Sequence, residues 1–347
     1  MNPPLTVMVV GAGRFGRNYL NIISKEKSQT PLSLPRIDTL VLSRTNLGSA
    51  RDTAKAIAAA SDCTVKHVVG VEIANEGQLC EALNRHVPQL ICITARDAAL
   101  GDAIHAQYAR QALDFGAVLC EKPFSSAKGD DQSLAELKAL AKHPNATKFG
   151  LELPIAVLGR AMDKDPKLQH KWQRAEMVGF LWQKQDHAGA FLSDLINDLA
   201  IHPWSILPPS WQVTVESVQM SQQHIDIAMV LKPDKKPLSP KPCHIRLSTG
   251  GQFRGFCLDK CAFQIRFEKG QLQLHELSIP WQAVMSEKHV PSATQTIATV
   301  DNPLRCHIRA ALAGKPLVGL QRTYHSQQFL EQIHAFFLKS EVIFPHP

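Results

Sequence analysis

The sequence predicts an α/β protein. An N-terminal Rossmann domain with a doubly wound parallel sheet is followed by a C-terminal α+β domain with a large open, mainly antiparallel sheet. Three observations favour this fold class. Short apolar runs alternate with helical patterns in the early part of the chain, a glycine-rich turn follows the first of these runs, and longer segments with partial alternation take over after residue 125. The length of 347 residues suits two domains. We therefore expect residues 1–125 to form the dinucleotide-binding domain and residues 126–347 to form a substrate and dimerisation domain.

The first domain is predicted from compact apolar runs, which are typical of strands buried on both faces of a parallel sheet. The predicted strands are Leu5–Val10, Ile37–Ser43, Val65–Val71, Gln89–Thr94 and Ala117–Cys120. Helical spacing of apolar residues predicts the helices after the glycine turn and over 49–60, 75–85 and 102–115.

The second domain shows helical patterns at 131–141, 191–207, 303–313 and 323–338. Its predicted strands cover 178–185, 211–221, 224–231, 244–249, 261–267 and 270–277. Their partial alternation indicates antiparallel pairing with one face open to solvent. Such a face would suit pairing of two copies, so we expect a homo-oligomer, either a dimer or a tetramer.

Composition argues against several classes of protein. The net charge of +7 comes from 38 basic residues interleaved with 31 acidic ones, so we expect no nucleic-acid partner. The densest basic stretch, LKPDKKPLSPK at 231–241, favours a solvated loop, with a nucleic-acid patch as the alternative. Eight cysteines without a CxxC pair indicate a reducing compartment. No metal site is expected, because Cys257 and Cys261 lack further ligands at suitable spacing. With no signal peptide and no apolar run of ~18 residues, we expect a cytoplasmic protein with no membrane partner.

The turn after the first strand carries the dinucleotide fingerprint GxGxxG as Gly11-Ala12-Gly13-Arg14-Phe15-Gly16. The first glycine permits a tight turn, the second lets the backbone approach a pyrophosphate, and the third allows close helix–strand packing. The N–H groups of the following helix would bind the phosphates. The turn lies between a predicted strand and a helix, as the motif requires.

The end of the second predicted strand, Ser43-Arg44-Thr45, favours NADP over NAD. NAD sites usually place a carboxylate there to bind the ribose 2′-hydroxyl. An arginine with two hydroxyls suits a 2′-phosphate instead. A solvated turn is the structural alternative.

Two further motifs are candidates for the chemistry. Glu121-Lys122-Pro123 follows a buried strand, at the end of a parallel sheet where ligands bind. The Lys122 ammonium would there stabilise negative charge or relay a proton, unless it is an ordinary surface lysine. Asp198 and His202 are four residues apart on a predicted helix and share a face, either as an acid–base pair or as an ordinary polar pair.

Together these motifs resemble the glucose–fructose oxidoreductase / inositol dehydrogenase family (Gfo/Idh/MocA). The matching segments are GAGRFG at 11–16, ALDFGAVLCEKPF at 112–124 and DLAIHPW at 198–204, in the order of the family. More loosely, GKPLVGLQRTYHSQQFLEQI from Gly314 is similar to the family's closing segment.

The resemblance implies an NAD(P)-dependent oxidoreductase acting on a small molecule. Lys122 would lie near the nicotinamide, His202 would be the general acid/base, and Asp198 would position the substrate or His202. The bond before Pro123 would be cis. The residues expected to contact the cofactor are Gly11, Gly13, Arg14, Phe15, Gly16, Ser43, Arg44, Thr45, Thr94, Ala95, Glu121 and Lys122.

The sequence also departs from the family. The segment ARDAALGDAIH after Thr94 is longer than the usual TPNxxH stretch, and His105 matches the family's histidine across that insertion. FGLELP at 149–154 lacks the aromatic/Asn-Arg-Arg stretch that often opens the second domain, and the glycine-rich turn is reduced to HAGA at 187–190. These departures argue against a typical sugar substrate and leave imines, diketones and tetrapyrroles as alternatives. A dinucleotide-binding regulator without turnover is the alternative function.

Overall fold

The computed structural model describes residues 5–26, 33–96, 101, 104–184, 195–221, 224–233, 239–249, 251–286 and 293–339. The chain forms two compact units. The first comprises residues 1–126, 132–153 and 304–324, and the second comprises residues 127–131, 154–303 and 325–347.

The first unit is built on a six-stranded sheet in which every pairing is parallel. Its strands are β1 (Thr6–Val10), β2 (Thr39–Arg44), β3 (His67–Glu72), β4 (Leu90–Ile93), β5 (Ala117–Cys120) and β6 (Phe149–Leu151). The helices that connect them are α1 (Gly16–Ser24), α2 (Leu47–Ala58), α3 (Glu76–His86), α4 (Ile104–Ala112) and α5 (Gln132–Leu140), followed by a 3₁₀ turn at Ala146–Lys148. The strand order, β3-β2-β1-β4-β5-β6, is that of a Rossmann fold. The predicted fold class is therefore confirmed for this unit.

The central strands of this sheet are buried on both faces, as their continuous apolar sequences predict. Val7 and Val9 of β1 pack with Leu40 and Leu42 of β2 and with Leu90 of β4 in one hydrophobic cluster. The strand order reverses between β1 and β4, and ligands of open parallel sheets bind beyond the strand ends at such a point. The core thus fixes the position of the residues that follow these two strands.

The second unit contains an eight-stranded sheet of order β14-β13-β12-β11-β7-β10-β9-β8. Its strands are β7 (Val178–Lys184), β8 (Gln212–Met220), β9 (His224–Lys232), β10 (Lys241–Thr249), β11 (Arg254–Leu258), β12 (Cys261–Glu268), β13 (Gln271–Leu277) and β14 (Ala293–Val300). Its helices are α6 (Ala156–Lys164), α7 (Pro166–Arg174), a π-helical turn (Ile196–Ala200), α8 (Ile201–Ile206) and α9 (Trp281–Met285). Of the last two helices of the chain, α10 (Pro303–Leu312) belongs to the first unit from residue 304 onward, and α11 (Leu320–Lys339) is divided between the units after residue 324.

The mainly antiparallel character predicted for this sheet is confirmed, with one exception. β7 and β10 pair in parallel, although the sequence predicts antiparallel strands for both segments. β8, β9 and β10 form an antiparallel meander, and β10 of that meander lies beside β7 in the same direction. The direction of a strand relative to a distant neighbour depends on the path of the chain between them, which local alternation does not record.

Alternation in β9 shows how the second sheet covers its core. Ile225, Ile227, Met229 and Leu231 are buried, while the residues between them are partly exposed. The period of two places one face of the strand against the core and the other towards solvent. Within the described ranges, no helix is long and apolar enough to cross a membrane.

Several elements are absent from the sequence-based prediction. The short strand β6, after residue 125, belongs to the parallel sheet of the first unit. The helices α6 and α7 and the strands β11 and β14 are also new. A strand of three residues such as β6 offers too few positions for a periodic pattern, so only its pairing with β5 identifies it.

Candidate active site

The glycine turn after β1 has the close contacts that its sequence predicts. Gly11 has a φ of 95°, and a Cβ added there would lie 2.5 Å from the backbone nitrogen of Ala95. A Cβ on Gly16 would lie 2.3 Å from the carbonyl oxygen of Gly11. Both positions therefore require glycine, for the turn and for the close approach of α1 to it.

Gly13 differs from the other two glycines because a Cβ added there would meet no described atom within 4 Å. The fold itself places no demand on glycine at this position. Open space beside the backbone, next to the N-terminus of α1, is what the approach of a pyrophosphate requires. The turn therefore fits a dinucleotide. Arg14 and Phe15, which complete the turn, are both exposed.

Ser43 and Thr94 hold this turn from the neighbouring strands. The N–H of Gly11 donates to the Ser43 hydroxyl at 3.1 Å, and the Thr94 hydroxyl donates to the Gly11 carbonyl at 2.6 Å. Ser43 is only 1% exposed, so its side chain acts on the turn from inside the fold. Sequence reasoning selected both residues as cofactor contacts, and the structure describes them as supports of the backbone that would carry the phosphates.

Arg44 and Thr45 lie at the end of β2, where the sequence suggests a 2′-phosphate site. Arg44 is partly exposed and its guanidinium donates to the Thr53 hydroxyl of α2 at 3.4 Å. Thr45 is exposed, and the following Asn46 caps α2 by accepting from the N–H of Ser49. The strand end thus presents one cation and one hydroxyl to solvent next to the start of a helix.

Lys122 follows β5 and is partly exposed. The Lys122–Pro123 peptide bond is cis, as the resemblance implies. Pro123 and Phe124 behind it are buried, and the Phe124 ring contacts the Phe149 ring edge-on at 5.7 Å. The lysine is therefore attached to a firmly packed turn at the carboxyl end of the sheet.

His105 of α4 ties this turn to the segment after β4. Its Nδ1 lies 3.1 Å and 3.2 Å from the carbonyl oxygens of Pro123 and Phe124, and its Nε2 lies 2.8 Å from that of Ala95. The ring is 1% exposed. The histidine that matches the family across the insertion thus links the two strand ends that carry Ala95 and Lys122.

Glu152 is a candidate residue that sequence reasoning missed. It follows β6 and is 5% exposed, and its N–H donates to the Cys120 carbonyl at 2.7 Å. Burial first and the Glu121 carboxylate second raise its pKa well above the ordinary value, while Lys122 acts in the opposite direction. The signal in the sequence is a single carboxylate inside the apolar stretch FGLELP.

The candidate residues of the second unit lie on one helical segment. Asp198 belongs to the π-helical turn and His202 to α8, which follows it directly. Pro203 provides a physical reason for the wider turn, because its ring excludes the regular hydrogen bond to the carbonyl four residues earlier. The predicted helix over 191–207 is confirmed from residue 195 onward, while residues 191–194 and the reduced glycine turn at 187–190 lie outside the described residues.

β7 supplies partners for both of these side chains. The Lys184 ammonium donates to an Asp198 carboxylate oxygen. The Trp182 ring stacks on the His202 ring, with 5.6 Å between the ring centroids and an interplanar angle of 18°. Both members of the ion pair are partly exposed. Lys184 and Trp182 are functional candidates that the sequence does not single out, because only the sheet brings β7 beside this helix.

The remaining expectations on sites concern metals and cysteines. Across the described residues, no group of three or more His, Cys, Asp or Glu side chains is arranged to hold a metal ion. The eight cysteines, all within the described ranges, form no disulfide.

Comparison with known proteins adds a family and a set of structural relatives. Residues 5–148 match the model of the oxidoreductase family with an NAD-binding Rossmann fold, GFO_IDH_MocA. No curated protein matches the sequence.

Solved structures share the fold over both units. A levoglucosan dehydrogenase in complex with NADH has a TM-score of 0.63 at 11% identity, with 97% of each chain covered. A mutant 3-ketoreductase from Actinomadura kijaniata, in complex with TDP-benzene and NADP, has a TM-score of 0.61 at 11% identity, covering 95% of this chain and 97% of that one. A UDP-N-acetylglucosamine 3-dehydrogenase from Acidithiobacillus ferrooxidans has a TM-score of 0.59 at 13% identity, covering 96% and 98%. At these identities the likeness establishes the fold alone.

Proposed function

Because residues 5–148 match the model of the oxidoreductase family GFO_IDH_MocA, with its NAD-binding Rossmann fold, we propose the following reaction. Hydride passes between a nicotinamide cofactor and a carbonyl, alcohol or imine carbon of a small molecule. The cofactor, when bound, supplies the hydride chemistry, and the protein supplies binding, orientation and control of protons. The observation that carries the proposal is the turn after β1. Gly11 and Gly16 are required by the fold there, whereas Gly13 leaves open space beside the backbone.

The cofactor proposed for this site is NADP. Arg44 offers a permanent positive charge and Thr45 a hydroxyl at the end of β2, where an NAD site usually presents a carboxylate. The Arg44 side chain is oriented by its contact with Thr53, which reduces the freedom it loses on binding an anion. The ligand of the 3-ketoreductase supports NADP and that of the levoglucosan dehydrogenase supports NAD, so Arg44 decides our choice.

Lys122 and His202 are proposed to handle the proton that accompanies the hydride. The Lys122 ammonium stabilises negative charge on the reacting oxygen or nitrogen or donates a proton to it. His202 is a general acid/base whose ring is oriented by Trp182, and Asp198 positions substrate or His202. Solved structures with a similar fold include a UDP-N-acetylglucosamine 3-dehydrogenase, a 3-ketoreductase and a levoglucosan dehydrogenase, so alcohol and ketone carbons are the first substrates to test.

A binding measurement tests the cofactor assignment without knowledge of the substrate. Arg44→Ala is expected to weaken NADPH binding about tenfold, the loss of one charge-assisted contact, and to leave NADH binding within about twofold. Arg51→Ala is the matched control, because Arg51 is an exposed arginine on the adjoining helix α2. Isothermal titration of the three proteins with both cofactors gives the comparison. Equal loss of NADPH and NADH affinity in Arg44→Ala would contradict a 2′-phosphate site.

Turnover is tested by following NADPH oxidation and NADP reduction with sugars, hydroxy acids, diketones and cyclic imines. We expect turnover with at least one of these classes. Tight cofactor binding with no turnover on any class, together with a specific protein partner, would instead support the dinucleotide-binding regulator.

A further inference from the structure

Behind Lys122, the first unit contains two carboxyl groups at the ends of adjacent strands. Cys120 of β5 is in register with Leu151 of β6, so the next residues along, Glu121 and Glu152, are also neighbours across the sheet. The hydrogen bond from the Glu152 N–H to the Cys120 carbonyl continues the pairing of β5 and β6 to this point. Neighbouring strands of a sheet lie about 4.8 Å apart, so the two glutamates begin from backbones that run side by side.

Glu152 and its neighbour Tyr19 are almost completely shielded from solvent. Its side chain is buried, and Tyr19 of α1, at 1% exposure, lies close enough for the charges of Glu121 and Glu152 to act on its phenol. Burial and these two carboxylates raise the pKa of Tyr19, so the phenol stays neutral. No described residue forms a hydrogen bond with its hydroxyl. The neighbouring Leu153 carbonyl contacts the buried ring of His307 at 3.0 Å.

We propose that Glu121 and Glu152 hold a single proton between them and that Glu152, through this proton, is a positioning residue that sets the charge beside Lys122. Glu152 is buried and Glu121 is partly exposed. Two carboxylates at adjacent strand ends, one of them removed from water, repel each other strongly, so one of them stays protonated. With the proton present, the pair carries one negative charge, which balances the Lys122 ammonium. Without it, the pair carries two and holds the lysine proton more tightly. Lys122 and Glu121 act on the charge of Glu152. Both carboxylates also act on the Tyr19 phenol, which the thiols of Cys92 and Cys120 face as well.

The sign of the pH effect follows from the environment of Glu152. Burial and the Glu121 charge raise its folded-state pKa above the unfolded value. The stability associated with the protonated form is therefore complete at acidic pH and is lost as pH rises through the folded-state pKa. Glu152→Gln is expected to remove this loss of stability, because glutamine has nearly the shape of a protonated glutamate and does not ionise.

Infrared spectroscopy in D₂O tests the proposal directly, since a protonated carboxyl has a C=O stretch that a carboxylate lacks. We expect this band in the wild-type protein at neutral pH, its loss in Glu152→Gln and its retention in Glu81→Gln, a control at an exposed carboxylate on α3. The absence of the band from the wild type, or its persistence in Glu152→Gln, would overturn the proposal.

Two further variants keep the test decisive if Glu152→Gln does not fold. The pH at which the band disappears should fall by about one unit in Glu121→Gln, where the like charge is gone, and rise in Lys122→Met, where the opposite charge is gone. A midpoint that does not move in Glu121→Gln would show that the two carboxyls do not share a proton. None of these readouts uses turnover, so they can fail or succeed separately from the proposed reaction.

The consequence for turnover rests on the proposed function of Lys122. In the wild-type protein at alkaline pH, Glu121 and Glu152 are both ionised, and their two negative charges favour the protonated form of Lys122. We expect Glu152→Gln to move the alkaline limb of the kcat/KM profile to lower pH, since the amide cannot supply that charge. A merely structural role would lower kcat/KM at every pH and leave the limb in place, which would contradict the coupling.

Discussion

The glycine turn of the first unit and the helical segment 195–206 of the second unit hold their candidate residues by different means. In the turn, the candidate functional group is the backbone itself, and its partners are the hydroxyls of Ser43 and Thr94. In the helical segment, the candidate functional groups are the side chains of Asp198 and His202, and their partners come from β7. A backbone site needs specific small residues at fixed spacing, which a motif records. A side-chain site depends on contacts from a distant strand, which a motif does not.

The largest effect is expected at Lys122, which the proposed reaction uses to stabilise charge or to donate a proton. Lys122→Ala should lower kcat at least about a hundredfold, the usual range for a proton-transferring group, and change NADPH affinity less than about threefold. Steady-state kinetics and cofactor titration of the same preparation measure both quantities. Lys142→Ala, at an exposed lysine of the same unit, is the control. A proportional loss of turnover and cofactor affinity would mean that Lys122 only binds the cofactor.

The glycine turn can be tested with two neighbouring substitutions that should separate stability from binding. Gly11→Ala is expected to lower the free energy of unfolding by about 2 kcal/mol or more, because it combines a positive φ with a close backbone contact. Gly13→Ala should change that free energy by less than about 0.5 kcal/mol and weaken NADPH binding at least about tenfold. Urea denaturation and cofactor titration give the two values. Unchanged cofactor affinity in Gly13→Ala would show that no phosphate approaches the backbone there.

The supporting hydroxyl of Ser43 should have a smaller effect. Ser43→Ala leaves the partly buried Gly11 N–H without this acceptor and is expected to cost about 1 kcal/mol of unfolding free energy. Thr45→Ala, at the exposed hydroxyl two residues later, should leave stability unchanged. Equal stability losses in both variants would contradict a specific role for Ser43 in holding the turn.

The ion pair in the second unit should contribute least to stability. Lys184 and Asp198 are both partly exposed, so a double-mutant cycle of Lys184→Met and Asp198→Asn is expected to give a coupling free energy of about 1 kcal/mol or less. If the pair orients Asp198 for the reaction, Lys184→Met should still lower kcat by about tenfold. A change in stability with no change in kcat would limit the pair to a structural role.

The sequence predicts the first unit better than the second for physical reasons. A strand such as Ala117–Cys120, buried on both faces, is a continuous apolar run whose bounds the structure reproduces. The glycine motif specifies a backbone geometry that few other sequences satisfy. The parallel pairing of β7 with β10 is not predicted, because it depends on where a distant meander joins the sheet.

In the candidate site too, features set by a local motif were predicted from the sequence and residues placed by distant contacts were not. Glycines 11 and 16 and the cis Lys122–Pro123 bond agree with the sequence-based expectations. The sequence did not single out Glu152, since a lone carboxylate in an apolar stretch has no motif, and only the alignment of β6 with β5 places it beside Glu121. Lys184 and Trp182 were missed because their partners are distant in the sequence.

The contacts of the His105 ring bear on the length of the segment between Ala95 and His105, which is longer than the matching stretch of the Gfo/Idh/MocA family. Ala95 and His105 stand at the two ends of the extended segment after β4, and the 2.8 Å contact between them closes it. The same ring reaches the carbonyls of Pro123 and Phe124, so the closure is anchored to the turn that carries Lys122. We therefore expect a change in the number of residues between Ala95 and His105 to leave the Lys122 turn in place as long as these contacts form. On this argument, His105 makes the position of Lys122 independent of the length of the segment that precedes α4.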